Sequence, residues 1–292
     1  MAICNNRTVI ITGAGGGLGR AYALAFAAEG ANVLVNDIRL EGAEAVVAEV
    51  TAAGGKAIAN HGDITTMDGA QSIIDAAVKA FGEVHVLVNN AGVLRDRMFV
   101  SLSEDDWDQV MRVHLKGHFC LANLLGKRWR DAAKAGNKVD ARIINTSSGA
   151  GLQGSVGQSN YSAAKGGIAA LTLVQAAEMG RYGVTANALA PAARTAMTEA
   201  GMPDMVKAPN DGSFDSWAAE NVAPLVVWLG SSASAHVTGK VFESQGGRIS
   251  IGDGWRTDAT RDKGARWDVA EIGPVIDQLL AEAVPAQKVW GT

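Results

Sequence analysis

Along the chain, short runs of apolar and β-branched residues alternate with longer stretches whose apolar positions recur every three or four residues. Runs of the first kind occupy 8–11, 32–36, 56–60, 84–88, 142–146, 183–191 and 241–243. Most are apolar throughout, as expected of parallel strands covered on both faces. The stretches between them predict helices over about 20–29, 41–53, 68–80, from Ser103 past Leu125, through Tyr161 to about 181, and over 217–229, with one more at 269–283. Ser103 followed by Glu104, Asp105 and Asp106 reads as a helix start, its acids facing the positive end of the helix dipole. Trp107, Val110, Met111, Leu115, Phe119 and Leu121 form a stripe of the kind that meets a core or another subunit. The polar, basic stretch 127–142 reads as a solvated helix end and loop. Between 192 and 216 the pattern loosens: Met197, Met202 and Met205 sit among Pro203, Pro209 and Gly212, either an adaptable lid or a disordered surface insertion. Regular alternation of strand and helix predicts a single α/β domain over 1–292, a doubly wound parallel sheet with helices on both faces. Its core spans 7–247, the lid about 192–216, and a C-terminal extension carrying Trp255 and Trp267 spans 248–292.

Composition narrows the function classes. A hydrophobic fraction of 48% over 292 residues is ample for a large core. A net charge of -4 gives no electrostatic footprint for nucleic acid. Cys4 and Cys120 fit neither a disulfide framework nor a metal site, which points to a reduced, cytoplasmic setting and no bound metal. The first strand begins by Arg7, which leaves no room for a signal peptide. No apolar run is long enough to span a bilayer, and the terminal Val289-Trp290-Gly291-Thr292 is not a peroxisomal address.

Candidate chemistry sits where strands end. The run 8–11 enters Thr12-Gly13-Ala14-Gly15-Gly16-Gly17-Leu18-Gly19 and then a helix. Glycines there let a backbone approach a pyrophosphate, whose charge faces the helix N-terminus; a purely structural turn is the alternative. The strand 32–36 ends at Asp37, at the spacing expected of an acid that binds an adenosine ribose. A carboxylate there accepts from the two ribose hydroxyls and repels a 2′-phosphate, which favours NAD over NADP, although Arg39 is placed to accommodate that phosphate. Asp37 could instead cap the following helix. Asp63, after His61-Gly62, either accepts the adenine amino group or caps a helix, and His61 reads as a loop residue. Asn89-Asn90-Ala91-Gly92 ends a further strand in residues small enough to admit a cofactor.

Ser148 follows the strand 142–146, and Tyr161 and Lys165 lie one helical turn apart. A free tyrosine, with a pKa near ~10, is a poor base at neutral pH, and lowering it by about two units takes about 2.7 kcal/mol. A lysine cation about 4 Å away supplies on the order of 4 kcal/mol at an effective dielectric of about 20. A serine hydroxyl can hold a substrate oxygen while the tyrosine moves its proton. Taken alone, Tyr-x-x-x-Lys reads more readily as an ordinary surface helix, and the rest of the chain must overturn that.

In order along the chain, the turn from Thr12 to Gly19, Asp63, Asn89-Asn90-Ala91-Gly92, the Ser148/Tyr161/Lys165 set, Asn187-x-x-x-Pro191 and Gly246-Gly247 resemble the short-chain dehydrogenase/reductase family over roughly residues 7–247. The resemblance implies a Rossmann-type fold, an oxidoreductase interconverting a secondary alcohol and a ketone, and a homodimer or homotetramer. It implies Tyr161 as the acid/base, Ser148 on the substrate oxygen, and Lys165 on the cofactor ribose. The cofactor site it implies comprises Gly13, Gly15, Gly17, Leu18, Gly19, Asp37, Asp63, Ile64, Asn90, Ala91, Gly92, Tyr161, Lys165, Pro191 and Thr195. Two positions depart from the pattern. Ala192 stands where the family has glycine, and His114 stands where it has an asparagine whose main-chain carbonyl organises a water relay to the lysine. Histidine keeps that carbonyl, so its imidazole is either a catalytic participant or a core side chain. The runs 89–99 and 113–119 are similar to the dehydrogenase domain of type 2 multifunctional β-oxidation enzymes and its stand-alone bacterial relatives, some linked to steroid side-chain breakdown. That likeness implies a 3-hydroxyacyl-CoA substrate, with the methionines of 197–205 as an adaptable wall and Arg95 and Arg97 as a cationic rim. A 3-oxoacyl-carrier-protein reductase, another alcohol or hydroxysteroid dehydrogenase, and a non-catalytic dinucleotide sensor are the rival readings; the intact Ser148, Tyr161 and Lys165 argue against the last.

Overall fold

The computed structural model describes residues 2–201, 203–252, 258–285 and 287–292, so Met202 and Trp255 lie outside the described residues. In chain order its elements are β1 (Thr8–Thr12), α1 (Gly17–Ala28), β2 (Asn32–Asn36), α2 (Leu40–Ala52), β3 (Lys56–Asn60), α3 (Met67–Phe81) and β4 (Val86–Asn89), then α4 (Glu104–Met111), a π-helical turn (Arg112–Lys116), α5 (Gly117–Lys134) and β5 (Ala141–Thr146). They continue with α6 (Gly149–Gln153), α7 (Ser159–Met179), β6 (Val184–Pro191), α8 (Ala196–Gly201), α9 (Ala223–Gly230), β7 (Val241–Gln245), β8 (Arg248–Gly252) and α10 (Val269–Glu282).

These strands form one sheet in the order β3-β2-β1-β4-β5-β6-β7-β8, parallel from β3 to β7. All of β1 and β5 is buried. One face carries α1, α2 and α9 through residues such as Phe26, Val46 and Val226, and the other carries α3, α5 and α7 through Ile73, Leu121 and Ala176. The doubly wound α/β architecture is therefore as expected. Strand order reverses between β1 and β4, and a ligand crevice opens at that switch point, outside the carboxyl ends of the strands.

Three boundaries differ from the sequence expectation, each for a local reason. The chain does not leave the sheet at Gly247: Gly246 takes a left-handed φ of 53°, and Gln245 pairs with Arg248 across a two-residue turn. This adds β8 as an antiparallel edge strand, Gly-Gly being a hairpin turn sequence. Between 127 and 134 the chain is helical, because Trp129 is buried and its Nε1 donates to the Val84 carbonyl at 2.8 Å. Upstream of α9, residues 219–221 form only a 3-10 turn and the α-helix starts with Pro224 in its first turn, a place that needs no N–H. Among the described residues, no helix is long and apolar enough to cross a membrane.

At the switch point, Thr12 Oγ1 accepts from the main-chain N of both Asn90 (3.0 Å) and Ala91 (3.1 Å). Thr12→Val keeps the shape and leaves both N–H groups unpaired, so we expect it to cost about 2–4 kcal/mol in a urea melt and to weaken cofactor binding, whereas Thr12→Ser restores both. Equal stability of Thr12→Val and the parent would show that the staple contributes nothing.

Candidate active site

The glycine turn closes tightly on the neighbouring strand end. Gly13 adopts φ 61°, and a Cβ there would lie 2.7 Å from Ala91 Cα; at Gly19 it would lie 2.4 Å from the Gly13 carbonyl oxygen. Asn90 Nδ2 donates to the carbonyls of Thr12 (3.0 Å) and Gly13 (3.1 Å), which fixes the turn. Helix α1 begins at Gly17 with no side-chain cap, leaving its first N–H groups free for an anion. Thr195 stands across the turn, its Cγ2 3.3 Å from where a Gly17 Cβ would be. Leu18 instead packs against the core, and Pro191 closes β6.

At the end of β2, Asp37 is nearly buried. Its carboxylate accepts from the N–H of Gly15 (3.0 Å) and of Arg39 (3.0 Å), which aims it at the turn. The helix-cap alternative does not hold, since α2 starts after Arg39 without a side-chain cap. Arg39 Nε sits 3.7 Å from Asp37 Oδ1 with its side chain largely in solvent. Asp63 accepts from Thr65 N at 2.8 Å, while Thr66 is the residue that caps α3. Ile64 is buried against Gly117. A cradle with no room for side chains, an uncapped helix start and an oriented carboxylate fit a dinucleotide.

Ser148 caps the short helix α6, its Oγ accepting from Ala150 N at 3.2 Å. Lys165 is 2% exposed; its Nζ donates to the Thr146 carbonyl at 2.5 Å and lies 5.5 Å from the centre of the Tyr161 ring. Burial draws the Lys165 pKa down to about 7. Burial also raises Tyr161 above its ordinary 10, with the Ser148 hydroxyl pulling it back down and Asp96 adding to the rise. Burial thus works against the charged form of both groups and opposes the expected lowering of the tyrosine by the lysine, while the Ser148 hydroxyl favours the phenolate.

His114 lies in the π-helical turn and is 1% exposed. Its Nε2 is 3.0 Å from Val93 N and 2.8 Å from Val93 O, so either neutral tautomer finds a partner. The ring meets Tyr161 edge-on, with centroids 5.2 Å apart at 87°. A Cβ on Gly92 would come within 2.4 Å of His114 Cε1. Burial, then the Lys165 charge, presses its pKa from 6.5 to about 3, so the imidazole is neutral at working pH and braces the segment after Gly92.

Three supporting residues escaped the sequence reading. Asn160, fully buried, donates to the carbonyls of Arg95 (3.1 Å) and Asp106 (3.2 Å) and accepts from Tyr161 N at 2.8 Å. Its signal was an asparagine immediately before the tyrosine, in the first turn of a helix. His118, one turn after His114, accepts from Thr146 N at 3.3 Å, and Asn145 bridges β5 to Thr172 (2.9 Å) and Gln175 (2.8 Å). The two elements that the likeness assigns to the substrate are held locally. Arg97 is paired with Asp106 at 2.8 Å, while the exposed Arg95 donates to the neutral Gln109 at 3.1 Å and keeps its charge toward solvent. The segment 192–216 is pinned at its base by an Arg194–Asp215 ion pair and by Arg194 Nη1 on the Val206 carbonyl at 2.9 Å.

If the His114 ring only braces, His114→Asn keeps most of the turnover, and loss of turnover with the fold intact would make the imidazole a participant. The unfolded chain takes up this proton near 6.5 and the folded chain only near 3, so stability falls as pH drops through that window. Urea melts at pH 7 and 4.5 should show a drop about 2–3 kcal/mol smaller in His114→Asn than in the parent; an equal drop would contradict the buried neutral ring.

Residues 7–205 match the family described as short chain dehydrogenase. Hydroxyacyl-CoA dehydrogenase ChsB1 of Mycobacterium tuberculosis is 42% identical, the match covering 99% of this chain and 93% of that protein. Peroxisomal multifunctional enzyme type 2 of Mus musculus is 41% identical over 86% of this chain, which spans only 32% of that longer protein. A crystal structure of a short chain dehydrogenase from Mycobacterium avium superposes with a TM-score of 0.91 at 55% identity, covering 99% of this chain and 100% of that one. The matched stretch runs from the first strand through both the glycine turn and the tyrosine helix, and the chain belongs to the short-chain dehydrogenase family, oxidoreductases that act on a CH–OH group with a nicotinamide dinucleotide.

Proposed function

We propose that this enzyme interconverts a 3-hydroxyacyl-CoA thioester and its 3-oxo counterpart, with NAD as its cofactor. The reaction class rests on the convergence of Ser148, Tyr161 and Lys165 at the carboxyl end of β5. The thioester rests on likeness, over nearly the full length of both chains, to a protein named hydroxyacyl-CoA dehydrogenase. NAD rests on Asp37, whose oriented carboxylate suits two ribose hydroxyls and repels a phosphate.

In this reading the glycine turn and the start of α1 hold the pyrophosphate, Thr195 stands over it, and Asp37 and Lys165 hold the two riboses. A bound nicotinamide supplies the hydride acceptor. Ser148 Oγ holds the substrate oxygen, and Tyr161 Oη takes the hydroxyl proton in oxidation or gives it back in reduction. Lys165, with a pKa of about 7, exchanges protons readily at neutral pH. Burial holds the Tyr161 phenol above its ordinary range and so favours its protonated form. Reduction is then favoured near neutrality, and oxidation rises as the pH climbs.

The whole chain, 1–292, acts as one domain here, with 192–216 as a wall of the substrate cleft through the half-buried Met197. We further infer a two-fold dimer or tetramer. Phe119 is 46% exposed, Leu173 51% and Val174 50%, beside a groove lined by Met111, Leu115 and Leu171. Light scattering at micromolar concentration tests this, a monomer being the contrary result. A cytoplasmic setting suits Cys4 and Cys120, both buried thiols.

Tyr161→Phe should lower kcat by about 10²–10⁴-fold with cofactor affinity unchanged, read by NADH formation against a panel of 3-hydroxyacyl-CoA, free hydroxysteroid and simple alcohols. Near-normal turnover would remove Tyr161 from the chemistry. A free alcohol winning by about tenfold in kcat/KM would sink the thioester while leaving the dehydrogenase. Wild-type kcat/KM should favour NAD, and Asp37→Ala should narrow the gap; equal use of NADP by the parent would mean that Arg39 outweighs the carboxylate.

A further inference from the structure

The chain between Ser148 and Tyr161 is gripped from two sides. On one, Arg97 N donates to the Gly157 carbonyl at 2.8 Å and Gln158 Nε2 to Asp96 at 2.7 Å. On the other is the far C-terminus. Val156 N donates to the Trp290 carbonyl at 2.9 Å, and Trp290 N to the Gly154 carbonyl at 3.2 Å, a parallel bridge between Ser155 and Trp290. The Trp290 ring is seated on Gly149, the residue after Ser148: a Cβ there would meet Trp290 Cη2 at 2.4 Å and Cζ2 at 2.6 Å. Val289 lies over Gly154, and Gly291 lies over Val156. Despite these contacts, Trp290 remains 48% exposed. A large aromatic ring is thus held by main-chain bonds beside Ser148 with about half of its surface open.

We propose that Val289–Gly291 is a clasp on the loop joining Ser148 to Tyr161, with Trp290 as a positioning residue that keeps Ser148 in register with Tyr161 and offers an aromatic wall to the substrate. The choice of probe substrate rests on the thioester reading; the clasp itself does not. Displacing Gly149 moves the cap of α6, and the serine hydroxyl with it. The same hydroxyl pulls the Tyr161 pKa down, so loosening it moves the oxidation limb of the pH profile to higher pH.

The experiment compares the full chain with Trp290→Ala, Trp290→Phe and a chain lacking 289–292, using a short-chain and a long-chain 3-hydroxyacyl-CoA, cofactor titration, melting temperature and the pH dependence of kcat. We expect Trp290→Ala and the shortened chain to lose about 10–100-fold in kcat/KM, the scale of a roughly 1 Å misplacement. Cofactor affinity should stay within about twofold, the rising limb of kcat should move to higher pH, and Trp290→Phe should recover most of the loss. Activity within about twofold of the parent in both variants would overturn the clasp, as would a parallel fall in cofactor affinity and melting temperature, which would make the tail merely structural. If the parent leaves thioesters untouched but oxidises a free secondary alcohol, the thioester reading falls alone, and the same variants on that alcohol decide the clasp.

Discussion

Taking one ammonium group out of water constrains the rest of this site. Lys165 is nearly inaccessible, and among the described residues its Nζ has one hydrogen-bonding partner, the Thr146 carbonyl at the end of β5. Burying a charge with so little compensation is expensive, and the group responds by lowering its pKa to about 7. Its surroundings follow from the same constraint. Ser147 Oγ donates to the Lys165 carbonyl at 2.8 Å, and Thr146 N turns to His118, so strand end and helix are tied from both directions. The lysine charge adds to burial in keeping both His114 and His118 neutral.

What the sequence made legible depended on how local the physics is. Strands β2 and β3 fall at their expected bounds because a β-branched or alanine-rich run between turn residues has few other solutions in a buried parallel sheet. The glycine turn and the Tyr161/Lys165 pair were legible because their spacing alone sets their geometry. Strand β8 was not, since Ile249 and Ile251 are over half exposed and lack the apolar signature of the interior. The balance between the lysine and the tyrosine is less legible, because a pairwise Coulomb estimate omits the burial of both partners. The contacts of Asn160 and Trp290 join segments remote in sequence, where no periodicity carries information.

The site also divides its polar labour. Groups facing the cofactor are held by single contacts between side chain and main chain: Asp37 by two main-chain N–H groups, and the carbonyls of the glycine turn by the Asn90 amide. Groups facing the reaction are held by side chains and loops, among them Asn160 on the Tyr161 helix and His114 on Val93. The first kind of support ties together chain ends at the switch point. The second is a network in which each member is buried and any change leaves an unpaired partner behind.

One consequence lies in the contact between Gly92 and His114. With the imidazole edge occupying the space a methyl group would need, these positions are a single hereditary unit. An alanine at 92 is forbidden while the histidine stands, and nothing at 114 wider than this ring fits against the glycine. Change at this place therefore runs in one order, the shorter side chain at 114 first and any enlargement at 92 only afterwards, so a library that varies position 92 alone will record it as immutable although 114 is not.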